Sequence, residues 1–139
     1  LSFVFFTDRD LGKQFPAILT AAGLSVERHI DHFDDRTPDP EWLEAISKRG
    51  WIAVTHDANI RYRPNELEAV RRHSVALLVV VGKAPYADLA QSFVRTSLKI
   101  ESFLQERQPP YIAKIYRPTP SEAAQGALAG RVELWWPRA

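Results

Sequence analysis

The feature that most narrows the folds open to this chain is a strict alternation of short apolar runs with amphipathic stretches. Ser2–Thr7 opens it with Phe3, Val4, Phe5 and Phe6 and leaves no polar face, as expected of a strand buried on both sides. Leu11, Phe15, Ile18, Leu19 and Ala22 then recur at helical spacing, with Pro16 in the second turn and Gly23 as the stop. Leu24–His29 reads as a short strand and residues 32–39 as a polar loop. Asp39 followed by Pro40 reads as an N-cap and first helical position, and Trp42, Leu43 and Ile46 give that helix its apolar side. Trp51–Thr55 is the next strand, Pro64–Arg72 the next helix, and Val75–Val81 the strongest strand. Tyr86–Glu106 reads as one long helix and Ile112–Tyr116 as a last strand. The order β-α-β-α-β-α-β-α-β predicts an α/β fold with a mostly parallel sheet, helices on both faces and right-handed crossovers. Pro118–Gly130 is rich in Ala, Gly and Pro, so the reading is one domain over 1–117 and a C-terminal tail over 118–139. Val132–Trp136 alternates enough for a short strand within that tail. Its adjacent Trp135 and Trp136 are costly to leave in water, so they are expected to dock on the domain or on another chain.

Composition closes off several classes. With 139 residues and 45% hydrophobic content, the chain has material for one core, and disorder is not expected. There is no Cys, which excludes disulfides and thiolate metal sites. No run approaches the roughly 18 apolar residues of a membrane span. Thr7-Asp8-Arg9-Asp10 interrupts the opening apolar run at once, so no secretory signal is expected, and a cytoplasmic location is compatible with these features. The net charge of +1 hides an asymmetry: residues 1–60 hold 10 acids and 6 bases, residues 61–139 hold 7 acids and 12 bases. An acidic half for cations and a basic half for phosphates suits a nucleic-acid enzyme, although ordinary surfaces also fluctuate by this much.

In open α/β sheets, ligands bind beyond the carboxyl ends of the strands. Two strands here end in Asp: F-V-F-F-T-D at Asp8 and W-I-A-V-T-H-D at Asp57. If the strands are parallel, both carboxylates leave the same sheet edge and repel unless a cation neutralises them, which makes them natural ligands of Mg²⁺ or Mn²⁺. Such ions bridge a phosphodiester and activate water. A third acid is expected from the helix that follows residue 38, either Asp39 or Glu41. Acids in a first turn also favour the helix dipole without any catalysis. Asp10 reads first as an N-cap. Arg61 and Arg63, close behind Asp57, are candidate phosphate contacts, with Arg71, Arg72, Lys114 and Arg117 extending the basic half. The spacing of the four His fits no zinc motif, and His56 should point away from Asp57. There is no P-loop, no dinucleotide glycine run and no G-x-S-x-G.

The opening F-F-T-D-R-D-L-G-K, the segment T-P-D-P-E-W, the stretch V-T-H-D-A-N-I-R with P-N-E-L behind it, and the closing P-Y-I-A-K-I-Y-R together resemble the PIN-like toxins of VapC type over about residues 3–117. The resemblance implies a three-layer α/β/α PIN-like fold and a Mg²⁺- or Mn²⁺-dependent endoribonuclease. It also implies a type II toxin–antitoxin setting with a cognate antitoxin protein as partner. Asp8 falls on the family's first acid, Asp57 on its T-x-D acid, and Asp39 or Glu41 on its helical acid. Asp10 sits where relatives carry Asn or Asp. No fourth acid follows Asp57, where Ala58, Asn59, Ile60 and Arg61 come next, and this departure leaves a second metal position open. A homodimer is expected from the resemblance and from the Trp pair. The competing reading is a PIN-like module that binds RNA or a protein with little catalysis. A receiver-like phosphoacceptor domain with Lys83 is a more distant one.

Overall fold

The computed structural model describes residues 3–138; Ser2, expected to open the first strand, lies outside the described residues. The strands are β1 (Val4–Thr7), β2 (Ser25–Arg28), β3 (Ile52–Thr55), β4 (Ala76–Val80), β5 (Tyr111–Tyr116) and β6 (Arg131–Trp136). The helices are α1 (Gln14–Ala21), α2 (Asp39–Lys48), α3 (Pro64–Arg72), α4 (Tyr86–Arg95), α5 (Ser97–Glu106) and α6 (Pro120–Ala124), with 3-10 turns at Arg9–Leu11, His29–Asp31 and Ile60–Tyr62. One sheet runs in the order β2-β1-β3-β4-β5-β6, parallel throughout except for β6. Alternate residues of the central strands feed two cores, because successive strand side chains point to opposite faces. Phe5, Val54 and Leu78 pack with Phe15, Leu89, Phe93, Ile100 and Leu104 from α1, α4 and α5. Phe6, Ala53 and Leu77 pack with Trp42, Ile46 and Val70 from α2 and α3. The result is the three-layer α/β/α arrangement expected.

Two expectations change, and the strand expected at Val132–Trp136 is present and docked on the domain. The segment assigned to a tail contributes a strand: β6 runs antiparallel along β5, Tyr116 opposite Arg131, and Trp135 is buried in the core beneath α2 and α3 with Trp136 packed at its side. Gly and Ala in the connection read as loose chain, yet burial of the indole and the ladder to β5 together hold the strand. With the Trp pair docked on its own domain, it lends no support to a homodimer. The long helix is two helices broken at Thr96, which is fully buried. Its hydroxyl donates to the Ser92 carbonyl at 2.7 Å, and Thr96 Oγ1 in turn accepts from Gly130 N–H at 2.9 Å. Back-bonding of a β-branched residue to position i−4 bends a helix, and here it frees the hydroxyl to hold the strand entry. The first helix begins at Gln14 rather than Leu11, behind Gly12 at φ 67°, so Pro16 stands in its first turn, where no amide hydrogen is missed.

Candidate active site

The chain leaves β1 for β2 on one side and returns to β3 on the other, so the carboxyl ends of β1 and β3 flank the topological switch point. Thr7 pairs in register with Val54, and the Asp8 amide donates to the Val54 carbonyl at 2.9 Å. This sets Asp8 beside Thr55. Asp8 caps the turn that follows, its Oδ1 accepting from Arg9 N–H at 2.7 Å. The capping expected of Asp10 therefore falls to Asp8, and one 3-10 turn carries Asp10 across to β3. Both Asp10 oxygens accept from the His56 amide, at 3.2 and 3.1 Å.

The centre of the site is one hydroxyl. Thr55 Oγ1 lies 3.0 Å from Asp8 Oδ2 and 3.0 Å from Asp10 Oδ2, and it accepts from Asp57 N–H at 3.2 Å. A hydroxyl has one proton to donate. It can satisfy one ionised carboxylate, and the other then faces a lone pair unless it carries a proton or a cation lies between them. The electrostatics follow. Desolvation, and after it the charge of Asp10, push the Asp8 carboxyl up to about 6, with Asp39 adding to the rise. Asp10 is raised as well, by desolvation first and by Asp57 in smaller measure, against the pull of the His56 amide.

The outer acids are arranged differently. Asp57 caps its own loop by accepting from Asn59 N–H at 3.0 Å, and its other oxygen pairs with the Arg63 guanidinium. Asp39 is the first residue of α2 rather than its N-cap, which is Pro38, and its Oδ1 accepts from Trp42 Nε1 at 2.9 Å. Asp39 is the helical acid whose charge bears on Asp8, and Glu41 is exposed. The structure thus brings Asp8 and Asp10 together, sets Asp39 and Asp57 in their field, and leaves Glu41 outside. Arg61 is spent on packing: its guanidinium lies over the Trp135 ring at 5.1 Å, beside Lys114 Nζ at 4.1 Å from the same ring. His56 turns away from the acids and makes a 2.8 Å hydrogen bond through Nε2 to the Gly82 carbonyl. The rear of the site is closed by Tyr86, whose hydroxyl donates to the Asp10 carbonyl at 2.6 Å.

Sequence reasoning missed Thr55 and the site role of Asp10. The T-x-D spacing held the signal for Thr55, because a side chain two residues before Asp57 on an extended strand shares its face. Among the described residues, no three His, Asp or Glu side chains stand together as a ready-made cation cage. The donors at the centre are nonetheless all oxygen and carry more negative charge than one hydroxyl can satisfy. That chemistry suits a hard divalent ion.

An open, mostly parallel sheet with acids converging at its switch point defines a class of α/β domains with an acidic ligand site on the sheet edge. The family model described as PIN like domain matches residues 3–82, more than half of the chain, and the chain belongs to that family. PIN-like domains are generally nucleases, usually dependent on divalent metal ions, and the fold here is of that nuclease type. No curated protein and no solved structure matches the chain. Among the described residues, no helix is long and apolar enough to cross a membrane.

Proposed function

We propose that the protein is a Mg²⁺- or Mn²⁺-dependent endoribonuclease, acting as the toxin of a type II toxin–antitoxin pair whose antitoxin covers the carboxylate edge. The observation that carries the nuclease reading is the convergence of Asp8 and Asp10 on the single proton of Thr55 Oγ1. Asp8 and Asp10 would hold the ion, with Asp39 and Asp57 supplying the surrounding negative field. When bound, such an ion supplies positive charge to a phosphodiester and acidifies a water. The chain's own groups orient the donors. Thr55 holds both inner carboxylates, the His56 amide fixes Asp10, and the Tyr86 hydroxyl ties the Asp10 backbone to α4. Arg63, exposed and paired with Asp57, is the phosphate contact of the pair first considered; Arg61 braces Trp135.

The test is purified protein with Mn²⁺ and a mixed RNA substrate. Cleavage is expected, with losses in Asp8→Asn and Asp10→Asn greater than the about 10–100-fold typical of residues that only orient ligands. Unimpaired cleavage in both variants would remove the reading. The pairing of Asp57 with Arg63 favours one alternative, a domain that binds RNA without cutting it. Equal RNA binding by wild type and both variants, with no cleavage in either metal, would establish that alternative.

A further inference from the structure

Next to the carboxylates, on the β2 side, lies a cleft of about 250 Å³ lined by Thr7, Asp8, Arg9, Lys13, Arg28 and His29, with Gly12 and Ile30 at its margin. Register explains its position. Thr7 pairs with Arg28, so Arg28 leaves the carboxyl end of β2 on the same edge from which Asp8 leaves β1. Lys13 comes from the residue just before α1. Arg9 is held in place, its Nε donating to His29 Nδ1 at 2.8 Å and its Nη2 to the Phe33 carbonyl at 2.6 Å. His29 is lowered by desolvation and then by the Arg9 charge, which keeps the ring neutral and able to accept that bond.

Two independent observations mark the cleft as built for a ligand. Among the described residues, Arg9, Lys13 and Arg28 form no ion pair. Thr7, 1% exposed and among the residues lining the cleft, has a buried hydroxyl with no hydrogen-bond partner. A buried hydroxyl left without a partner is costly, so leaving one here calls for a purpose. Three cations outside any ion pair, with Asp8 at the cleft's carboxylate end, a spare hydroxyl and an apolar margin make a receptor for an anion attached to a partly apolar group. The volume is below the roughly 300 Å³ at which small-molecule clefts begin, so it takes a single unit rather than a folded ligand.

We propose that this cleft is the subsite for one phosphate-bearing nucleotide of the RNA strand, the one flanking the bond cut at Asp8 and Asp10. Arg28 and Lys13 hold the phosphate, Arg9 adds fixed charge, and the Thr7 hydroxyl engages a strand oxygen as the nucleotide seats. The proposal rests on the nuclease reading for its substrate but not for its measurement.

The experiment measures binding of a 5′-phosphorylated RNA dinucleotide to the full chain in EDTA, by titration calorimetry across a salt series. Arg28→Gln and Lys13→Gln are expected to weaken binding about tenfold each and to lower the slope of log K against log salt by about 1. Thr7→Val should weaken binding severalfold without loss of thermal stability, whereas a purely structural hydroxyl would leave affinity unmoved. Arg107→Gln, a charge loss away from the cleft, should change neither. Lys13 is exposed, so its variant carries the test if Arg28→Gln misfolds. Unchanged affinity and salt slope in Lys13→Gln and Arg28→Gln would overturn the proposal, as would tighter binding of an oligoglutamate peptide than of the dinucleotide at the same cleft. Cleavage in Mn²⁺ is scored separately, so a wild type that binds through the cleft yet cuts nothing removes the nuclease reading and leaves the subsite standing.

Discussion

Two buried threonines organise this molecule, and they are treated in opposite ways. Thr96 Oγ1 donates to one carbonyl and accepts from one amide, so its capacity matches its partners. Around it, Lys99 Nζ donates to the Gly130 carbonyl at 2.9 Å, and the chain is clasped where β6 begins. Thr55 Oγ1 stands between two carboxylates with one proton for both. A satisfied buried network rigidifies, and an over-subscribed one stores repulsion. The difference teaches where the fold invests in stability and where it retains a cost, since local rules are broken chiefly at functional sites.

The comparison can be broken most forcefully at Gly130. A Cβ there would lie 1.6 Å from the Tyr116 carbonyl oxygen, a backbone atom with little room to move. Gly130→Ala should cost about 4 kcal/mol in urea unfolding, near the exceptional end for single substitutions, at every pH. A loss below 1 kcal/mol would show that the clasp is slack.

The site should respond with the opposite sign. The folded-state value of Asp8, about 6, lies above its unfolded 3.8. Its protonated form therefore favours the folded state, an advantage complete below pH 4 and lost as pH rises through 6. Asp8→Asn removes the buried charge, so it should be more stable than wild type at pH 8 by about 3 kcal/mol at most and close to it at pH 4. Chemical denaturation at the two pH values reads both. Destabilisation at pH 8 would mean that the carboxylates are already reconciled.

Thr96→Val comes next, at about 2 kcal/mol, because the Gly130 amide is left buried without an acceptor. Its cost should be flat with pH, in contrast to Asp8→Asn. Tyr86→Phe is the smallest, about 1 kcal/mol or less for one neutral hydrogen bond. Its sharper signature is a fall in cleavage larger than that stability loss explains, because Asp10 loses its anchor to α4. An unchanged rate would confine Tyr86 to packing.

What the sequence made legible was what repeats or lies close by. Apolar runs such as Phe3–Phe6 and Val75–Val81, alternating with helical patterns, are local signals, and they led to the parallel sheet. Two strands ending in Asp led to its acidic edge. The errors share one cause. Asp10 looked like a cap because a cap is a local bargain, whereas its real partners, Thr55 and the His56 amide, lie 45 and 46 residues on. The helix over 86–106 breaks at Thr96 for a contact 34 residues away. Residues 118–139 lacked a strong pattern before Val132, and β6 is settled by pairing with β5, which no local window contains. Glu41 and Asp39 share a helical turn, and the side chain that reaches Asp8's field is fixed by how α2 docks, through Trp42.

One consequence concerns portability. Every acid of the site precedes residue 58, and the family match ends at 82, so the front of the chain looks like a self-sufficient cutting module. Yet the Tyr86 hydroxyl and the strands that follow β4 in the sheet come from beyond that boundary, with Ile112 and Ala113 of β5 paired to Leu77 and Leu78 and Trp135 of β6 in the core. A fusion carrying only the first 82 residues would transplant the acids without the mould that keeps them apart. A graft that keeps the site's geometry would carry α4, β5 and β6 as well.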